Sequence, residues 1–419
     1  MKEIIHFRKN GEAVSVLRTN VPFSGNAFLP KKALVPIAID RIKAIPVVTY
    51  GQYVKEGEII ARAADKNSTN IRSPIPGIIG DVCTFQTGYG STMQCVSVFL
   101  EGRFNMLGKR ESNYTWRNTG VVSLLHIIDE KGLIVTQKPF TPLATALREA
   151  VRLDVRHLQF TMFDFDESCG LEYEILKNFL FEVLEGVSIV ARILECSCVE
   201  IFITKKLSKE TIEKITQLFD FTEVVFTRVK NTYPFYDLTK RKAEPTFSIL
   251  PSTAIYVYEA IVKDRPFVGS YILLSGKALK NKQLLKVRFG TIIGNLLEEC
   301  GGLQVSRASL IINGFLNGAV GENFDTPIHC MMKSITVIPT REIEKFFMHP
   351  CTHCGRCANA CPMNLDPSLM ITKIRQGDFN EEVLMQLRAC INCNVCSSCC
   401  PSRLPIADII AKAKEEKYL

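Results

Sequence analysis

Between Val47 and Ala63 apolar and polar side chains alternate (VVTYGQYVKEGEIIARA) around Gly51 and Gly57, and IRSPIPGIIGDV (Ile71–Val82) follows after a polar turn. A period of two with Gly and Pro at the breaks predicts short strands and tight turns across residues 23–82. Residues 101–135 carry little pattern. Thr141-Pro142 then reads as an N-cap with proline at the first helical position, opening the helix LATALREAV. A strand HLQFTMF (His157–Phe163) and a helical run from Glu172 to about Glu195, interrupted near Gly186, come next. CVEIFIT (Cys198–Thr204) is a second strand, Ser208 caps the helix KETIEKITQLF, and TEVVFTRVK (Thr222–Lys230) is a third strand. Strands and helices alternating at this spacing predict an α/β layer with a largely parallel sheet. Residues 268–303 read as two strands, a helix and a Gly-Gly stop, which suits a small β-grasp module. The segment IADIIAKAKEEKYL reads as an amphipathic helix packing on its neighbours.

Composition narrows the class only a little. At 419 residues the chain has room for about three domains. Its 47% apolar and 22% charged residues are ordinary for a globular protein. The net charge of +8 is spread along the chain without a long basic block or interleaved aromatics, so nucleic acid is not expected as a partner. No apolar stretch reaches the roughly 18 residues of a membrane span, and the N-terminus lacks the apolar core of a secretion signal.

The cysteines change the picture. Of sixteen, nine fall between Cys351 and Cys400, where reduced and clustered thiols point to metal. Cys351, Cys354, Cys357 and Cys361 form C-x2-C-x2-C-x3-C followed by Pro362. Cys390, Cys393, Cys396 and Cys400 repeat it, followed by Pro401. In the bacterial ferredoxin run of this spacing the fourth cysteine serves the other cluster. One [4Fe-4S] cluster would therefore take Cys351, Cys354, Cys357 and Cys400, and the second Cys390, Cys393, Cys396 and Cys361. The competing reading is two all-cysteine zinc sites, but zinc ribbons use separated C-x2-C pairs, whereas here three thiols crowd into seven residues, twice. Cys399 and His353 occupy spacer positions. Cys399 reads as a packed bystander, and His353 as a neighbour tuning its cluster through hydrogen bonds. Asp366-Pro367 opens a helix between the motifs and Gly377 closes it.

The module order resembles the RnfC family, subunits of the Rnf electron-transport complex, over essentially the whole chain. The stretches that carry the resemblance are CTHCGRCANACPMNLDPSLM with CINCNVCSSCCPSRLPIADII, and SYILLSGKAL with VRFGTIIGNLLEECGG. It implies an α/β multidomain architecture: a lipoyl-like barrel-sandwich module (1–100), a Rossmann-like α/β layer (101–245), a β-grasp SLBB-like module (246–340) and an α-helical two-cluster ferredoxin domain (341–419). It also implies a peripheral subunit on the cytoplasmic face of the inner membrane, relaying electrons to other Rnf-type subunits. NADH, or a small ferredoxin or flavodoxin, would be the soluble partner. Asp65-Lys66 stands where lipoyl domains carry their modified lysine, but a solvated turn residue is the expectation here.

The flavin segments of that family are eroded. Its glycine-rich loop corresponds to the stretch from Gly132 to Thr141, where Lys138 and Pro139 replace permissive glycines and proline removes an N–H donor. Its E-C-E-P segment survives as Glu167-Ser168-Cys169-Gly170, and its N-V-x-T segment as Leu250-Pro251-Ser252-Thr253. FMN and NADH binding are therefore expected to be lost or much weakened. A complete NADH-oxidising flavoprotein is the alternative.

Overall fold

A computed structural model of the chain describes residues 3–9, 12–18, 21–39, 42–86, 92–102, 115–137, 140–204, 207–229, 245–316, 318–321, 323–340 and 349–417. β1 (Glu3–Lys9) and β2 (Glu12–Arg18) pair as a hairpin, and β3 (Phe23–Asn26) follows. Then come β4 (Lys32–Ile39), β5 (Ile42–Pro46), β6 (Tyr53–Val54), β7 (Ile59–Ala63), β8 (Ile71–Arg72), β9 (Gly77–Gln86) and β10 (Thr92–Leu100). These seven make one antiparallel sheet in the order β6-β9-β10-β4-β5-β7-β8. Their inward positions, among them Val35, Ile37, Val54, Ile60, Ile79 and Val98, form its core. β3 does not join it: the strand crosses to a later sheet, so the segment 1–100 is not one closed unit.

The α/β layer forms as the alternation predicts. Its helices and strands in chain order are α1 (Val121–Lys131), α2 (Leu143–Arg152), β11 (His157–Thr161), α3 (Leu171–Ile193), β12 (Cys198–Ile203), α4 (Lys209–Leu218), β13 (Glu223–Arg228), β14 (Thr246–Ile249) and α5 (Pro251–Ile261). The four strands are all parallel in the order β13-β12-β11-β14. Because β14 pairs with β11 and α5 packs its Ala254, Ile255 and Val257 into the same core, this layer extends past residue 245 into the segment expected to be β-grasp.

Three local expectations are corrected. α1 occupies part of the unpatterned 101–135 stretch, burying Leu124, Leu125 and Ile128. α2 begins one residue later than the Thr141-Pro142 reading, with Pro142 as N-cap and no side-chain cap. Ile134 and Pro142 form an antiparallel bridge, and Val135 N–H donates to the Thr141 carbonyl, which keeps the chain extended there. α3 runs through Gly186 unbroken, and its one non-helical residue is Phe179. Gly186 instead marks a close approach, since a Cβ there would lie 1.9 Å from the Ala254 carbonyl oxygen of α5. Ser208 does cap α4, accepting the Thr211 N–H.

The next sheet contains β15 (Gly269–Ser275), β16 (Gln283–Arg288), β17 (Ala308–Ile312), β18 (Ala319–Gly321) and β19 (Ser334–Pro339), with α6 (Ile293–Glu299) against it. Its order is β18-β17-β19-β15-β16-β3. Five short helices follow among the described residues: α7 (Arg356–Asn359), α8 (Pro367–Gln376), α9 (Glu381–Ala389), α10 (Val395–Ser398) and α11 (Ile406–Glu416). As expected, Asp366 caps α8, accepting the Ser368 and Leu369 N–H groups, and Gly377 ends it in the left-handed region. α11 buries Ile406, Ile410 and Ala413 against Met370, Ile371 and Leu387. Among the described residues no helix is long and apolar enough to cross a membrane.

Candidate metal centre

The two cysteine motifs fold as copies of one another. His353 and Asn392, each before the second cysteine of its motif, have φ of 52° and 52°. Gly355 and Asn394, each after it, have φ of 72° and 61°. Asn364 and Arg403, each three residues past the fourth cysteine, have φ of 53° and 55°. Left-handed backbone is costly for most side chains and least so for Gly and Asn, so these spacers are part of the turn that curls each loop. The curl aims backbone N–H groups at sulfur. His353 N–H donates to Cys351 Sγ at 3.4 Å, and Asn392 N–H does the same for Cys390. Arg356 N–H serves Cys354, and Val395 N–H serves Cys393.

The helices that follow set which thiols meet. Cys361 comes within electrostatic reach of Cys390 and Cys393, and with these and Cys396 it lines one cavity walled by Met363, Leu365, Met370, Ile391 and Ile410. Cys357 and Cys400 lie together, both buried, while Cys351 is half-buried and Cys354 exposed. Cys399 stands near Cys354, Cys357 and Cys400, its thiol 3.5 Å from the Cys396 carbonyl oxygen. Among the described residues no three His, Cys, Asp or Glu side chains converge as ligands of a single ion.

Electrostatics divide the thiols. The backbone N–H of Arg356 holds exposed Cys354 below the usual thiol value. Burial pushes Cys390 and Cys393 up, and Cys396 up to about 12, with Cys393 and Cys390 adding to it. Buried thiols that repel one another as thiolates are donors that ionise when a cation arrives, since metal binding drives off their protons. Sulfur donors, N–H groups aimed at sulfur and apolar walls therefore fit an iron–sulfur group.

A second polar site lies at the carboxyl ends of the parallel strands, the position where open α/β sheets bind ligands. Two of the segments that the family resemblance leads one to expect as eroded flavin segments meet here. Thr136 Oγ1 lies 2.6 Å from both Ser252 Oγ and Thr253 Oγ1, and its N–H donates to Thr253 Oγ1 at 3.1 Å. Ser252 donates its N–H and hydroxyl to the buried Glu172 carboxylate at 2.7 and 2.6 Å, and Lys333 Nζ pairs with Glu172 at 2.6 Å. These hydroxyl, N–H and ammonium donors are thus engaged by neighbouring side chains. Gly132 serves as the left-handed end of α1, and the Thr141 carbonyl accepts the Val135 N–H. Lys138 and Pro139 lie outside the described residues. Lys66 is an exposed turn residue whose carbonyl accepts the Thr145 hydroxyl at 3.3 Å.

Sequence reasoning missed the pieces joining the two sites. Asp164, just beyond β11, accepts the Glu172 and Tyr173 N–H groups at the start of α3. Asp166 accepts the Leu316 N–H at 2.8 Å and Ser168 Oγ accepts the Phe315 N–H at 2.6 Å, while the Leu316 carbonyl accepts from Asn394 Nδ2. The β17–β18 turn thereby ties the Cys393–Asn394 loop to the α/β layer. Acidic residues ahead of a helix were a readable capping signal for Asp164, but nothing local marks Asn394.

Residues 22–103 match the family model of the RnfC barrel sandwich hybrid domain. A component of the proton-translocating ferredoxin:NAD(+) oxidoreductase complex of Clostridium ljungdahlii is 25% identical, over 84% of this chain and 80% of that protein. The equivalent components of ion-translocating oxidoreductase complexes from Methanosarcina acetivorans and Rhodobacter capsulatus are 23% and 22% identical. The matches span 91% and 84% of this chain, and 89% and 71% of those proteins. An NAD+-reducing [NiFe]-hydrogenase chain superposes with a TM-score of 0.48 at 14% identity, over 74% of this chain and 67% of that one.

Proposed function

This chain is a homologue of the RnfC components of ion-translocating oxidoreductase complexes, and on that premise we propose that it is their two-cluster electron relay. One [4Fe-4S] cluster is held by Cys351, Cys354, Cys357 and Cys400, and the other by Cys390, Cys393, Cys396 and Cys361. The observation that carries the reading is the cavity lined jointly by Cys361 and the three thiols of the second motif. A tetrahedral zinc ion draws its sulfurs to about 2.3 Å from one point. A cubane gives each sulfur its own iron, so thiols ranged around a cavity support iron–sulfur over zinc. When bound, the clusters supply one-electron transfer. The protein's part is to hold them at fixed separation and to tune them through the N–H groups aimed at sulfur. The chain sits peripherally on the cytoplasmic face of the membrane through its partners in the complex, and exchanges electrons with NADH or a small ferredoxin- or flavodoxin-like protein.

FMN binding is lost or much weakened, because Thr136, Ser252, Thr253, Glu172 and Lys333 bond one another where the family's flavin segments meet. The test is anaerobic loading of the full chain with iron and sulfide, followed by metal and sulfide analysis, electron paramagnetic resonance and FMN titration. Two clusters' worth of iron and acid-labile sulfide are expected, with no FMN retained. Cys361→Ser should lose about half of the iron together with the signal of one cluster. Stoichiometric zinc without sulfide overturns the relay, and FMN released from denatured protein overturns the loss of flavin and favours the NADH-oxidising flavoprotein instead.

A further inference from the structure

Cys83 of β9 and Cys95 of β10 stand directly opposite each other in antiparallel register. Opposed residues of such a ladder share a face, with Cα atoms about 4.5 or 5.5 Å apart according to pair type. Both spacings fall within the roughly 4.4–6.8 Å that a disulfide spans. The two side chains enter one apolar cluster with Ile39, Met93, Ile134 and Met331. Cys95 is wholly buried and Cys83 is at the cluster's half-buried edge. Neither belongs to the metal-binding motifs. Because Ile134 precedes α2 and Met331 precedes β19, this cluster is the seam between the first sheet and the other layers.

We propose that Cys83 and Cys95 form a reversible dithiol–disulfide couple, oxidised by low-molecular-weight disulfides at this seam. The Cys83 thiolate attacks one sulfur of the small disulfide, breaking its S–S bond, forming a mixed disulfide and releasing one thiol. Cys95 Sγ, giving up its proton, then attacks Cys83 Sγ and expels the second thiol. The protein loses two electrons and two protons, and the oxidant takes up both and departs as two thiols. Burial pushes the Cys95 thiol up to about 12 and closes it to solvent, so the first attack falls to Cys83. Closing the bond draws the sulfurs to about 2.05 Å and repacks the seam around Met93 and Ile134.

The test equilibrates the full, anaerobically loaded chain in a glutathione redox buffer, quenches with acid, alkylates, and maps peptides by mass. In oxidising buffer, Cys83 and Cys95 should both lose alkylation and appear as one linked peptide pair lighter by two hydrogens, reversed by excess reduced glutathione. Cys83→Ser should abolish the link and leave Cys95 fully alkylatable. Cys330→Ser, at the same cluster's edge, should retain the link and keeps the test valid if the first variant does not fold. Glutathione remaining on Cys83 with Cys95 free, or Cys83 linked to Cys330, would overturn the proposal.

Discussion

At the scale of single residues, His329 shows how burial alone sets a charge state. It is buried, its Nδ1 accepts the Met331 N–H at 3.3 Å, and burial pushes its pKa down to about 3. The folded chain keeps the ring neutral, whereas the unfolded chain takes up a proton below about pH 6.5. This contribution to stability is therefore complete above about pH 6.5 and falls as pH drops toward 3, by about 1.4 kcal/mol per pH unit. His329→Gln should flatten the pH dependence of urea unfolding between those limits, and parallel curves for variant and parent would refute the assignment. Asn394 is the opposite case: its neighbour Cys393 is legible from spacing, but its hold on Leu316 depends on a turn far away in the chain.

Elements meet where side chains permit it, and Gly186 marks a close backbone approach in the α/β layer. Gly186→Ala would put a Cβ 1.9 Å from the Ala254 carbonyl oxygen, so α3 and α5 must move apart. Overpacking of this kind costs about 1–3 kcal/mol, while alanine's better helix propensity returns up to about 1 kcal/mol. Thermal melting of the variant should therefore occur at lower temperature. A rise would mean that the two helices are not confined by this contact. The same helix shows why glycine in a helical pattern is ambiguous from sequence: it can signal a break or a close neighbour, and here the break is at Phe179.

At the scale of the whole molecule, the cysteine-rich helices build part of their core from thiols. Residues 349–417 pack Met370, Leu387, Ile406 and Ile410 around Cys357 and Cys400, so thiols stand where a larger domain would place aliphatic side chains. Cores of this size commonly draw folding energy from bound metal. Stripping iron from loaded protein should lower hydrogen-exchange protection in α8, α9 and α11 and leave β11, β12 and β14 unchanged. Equal protection with and without iron would show that the helices fold independently. Asn394 to the Leu316 carbonyl, and His349 N–H to the Ser402 carbonyl at 3.0 Å, are among the bonds that hold the cysteine loops in place.

The sequence by itself determined what is written in short windows: the repeated thiol spacing, the alternation of strand and helix, and the caps at Ser208 and Asp366. Each depends on neighbours a few residues apart, so local geometry suffices. Tertiary structure decided that β3 leaves the first module, that β14 completes the parallel sheet and that α3 passes through Gly186. It also set Thr136, Ser252 and Glu172 to bond one another, and brought Cys361 into the cavity of the second motif. These outcomes join segments far apart in the chain, and packing and burial select among such pairings with terms that no local pattern contains.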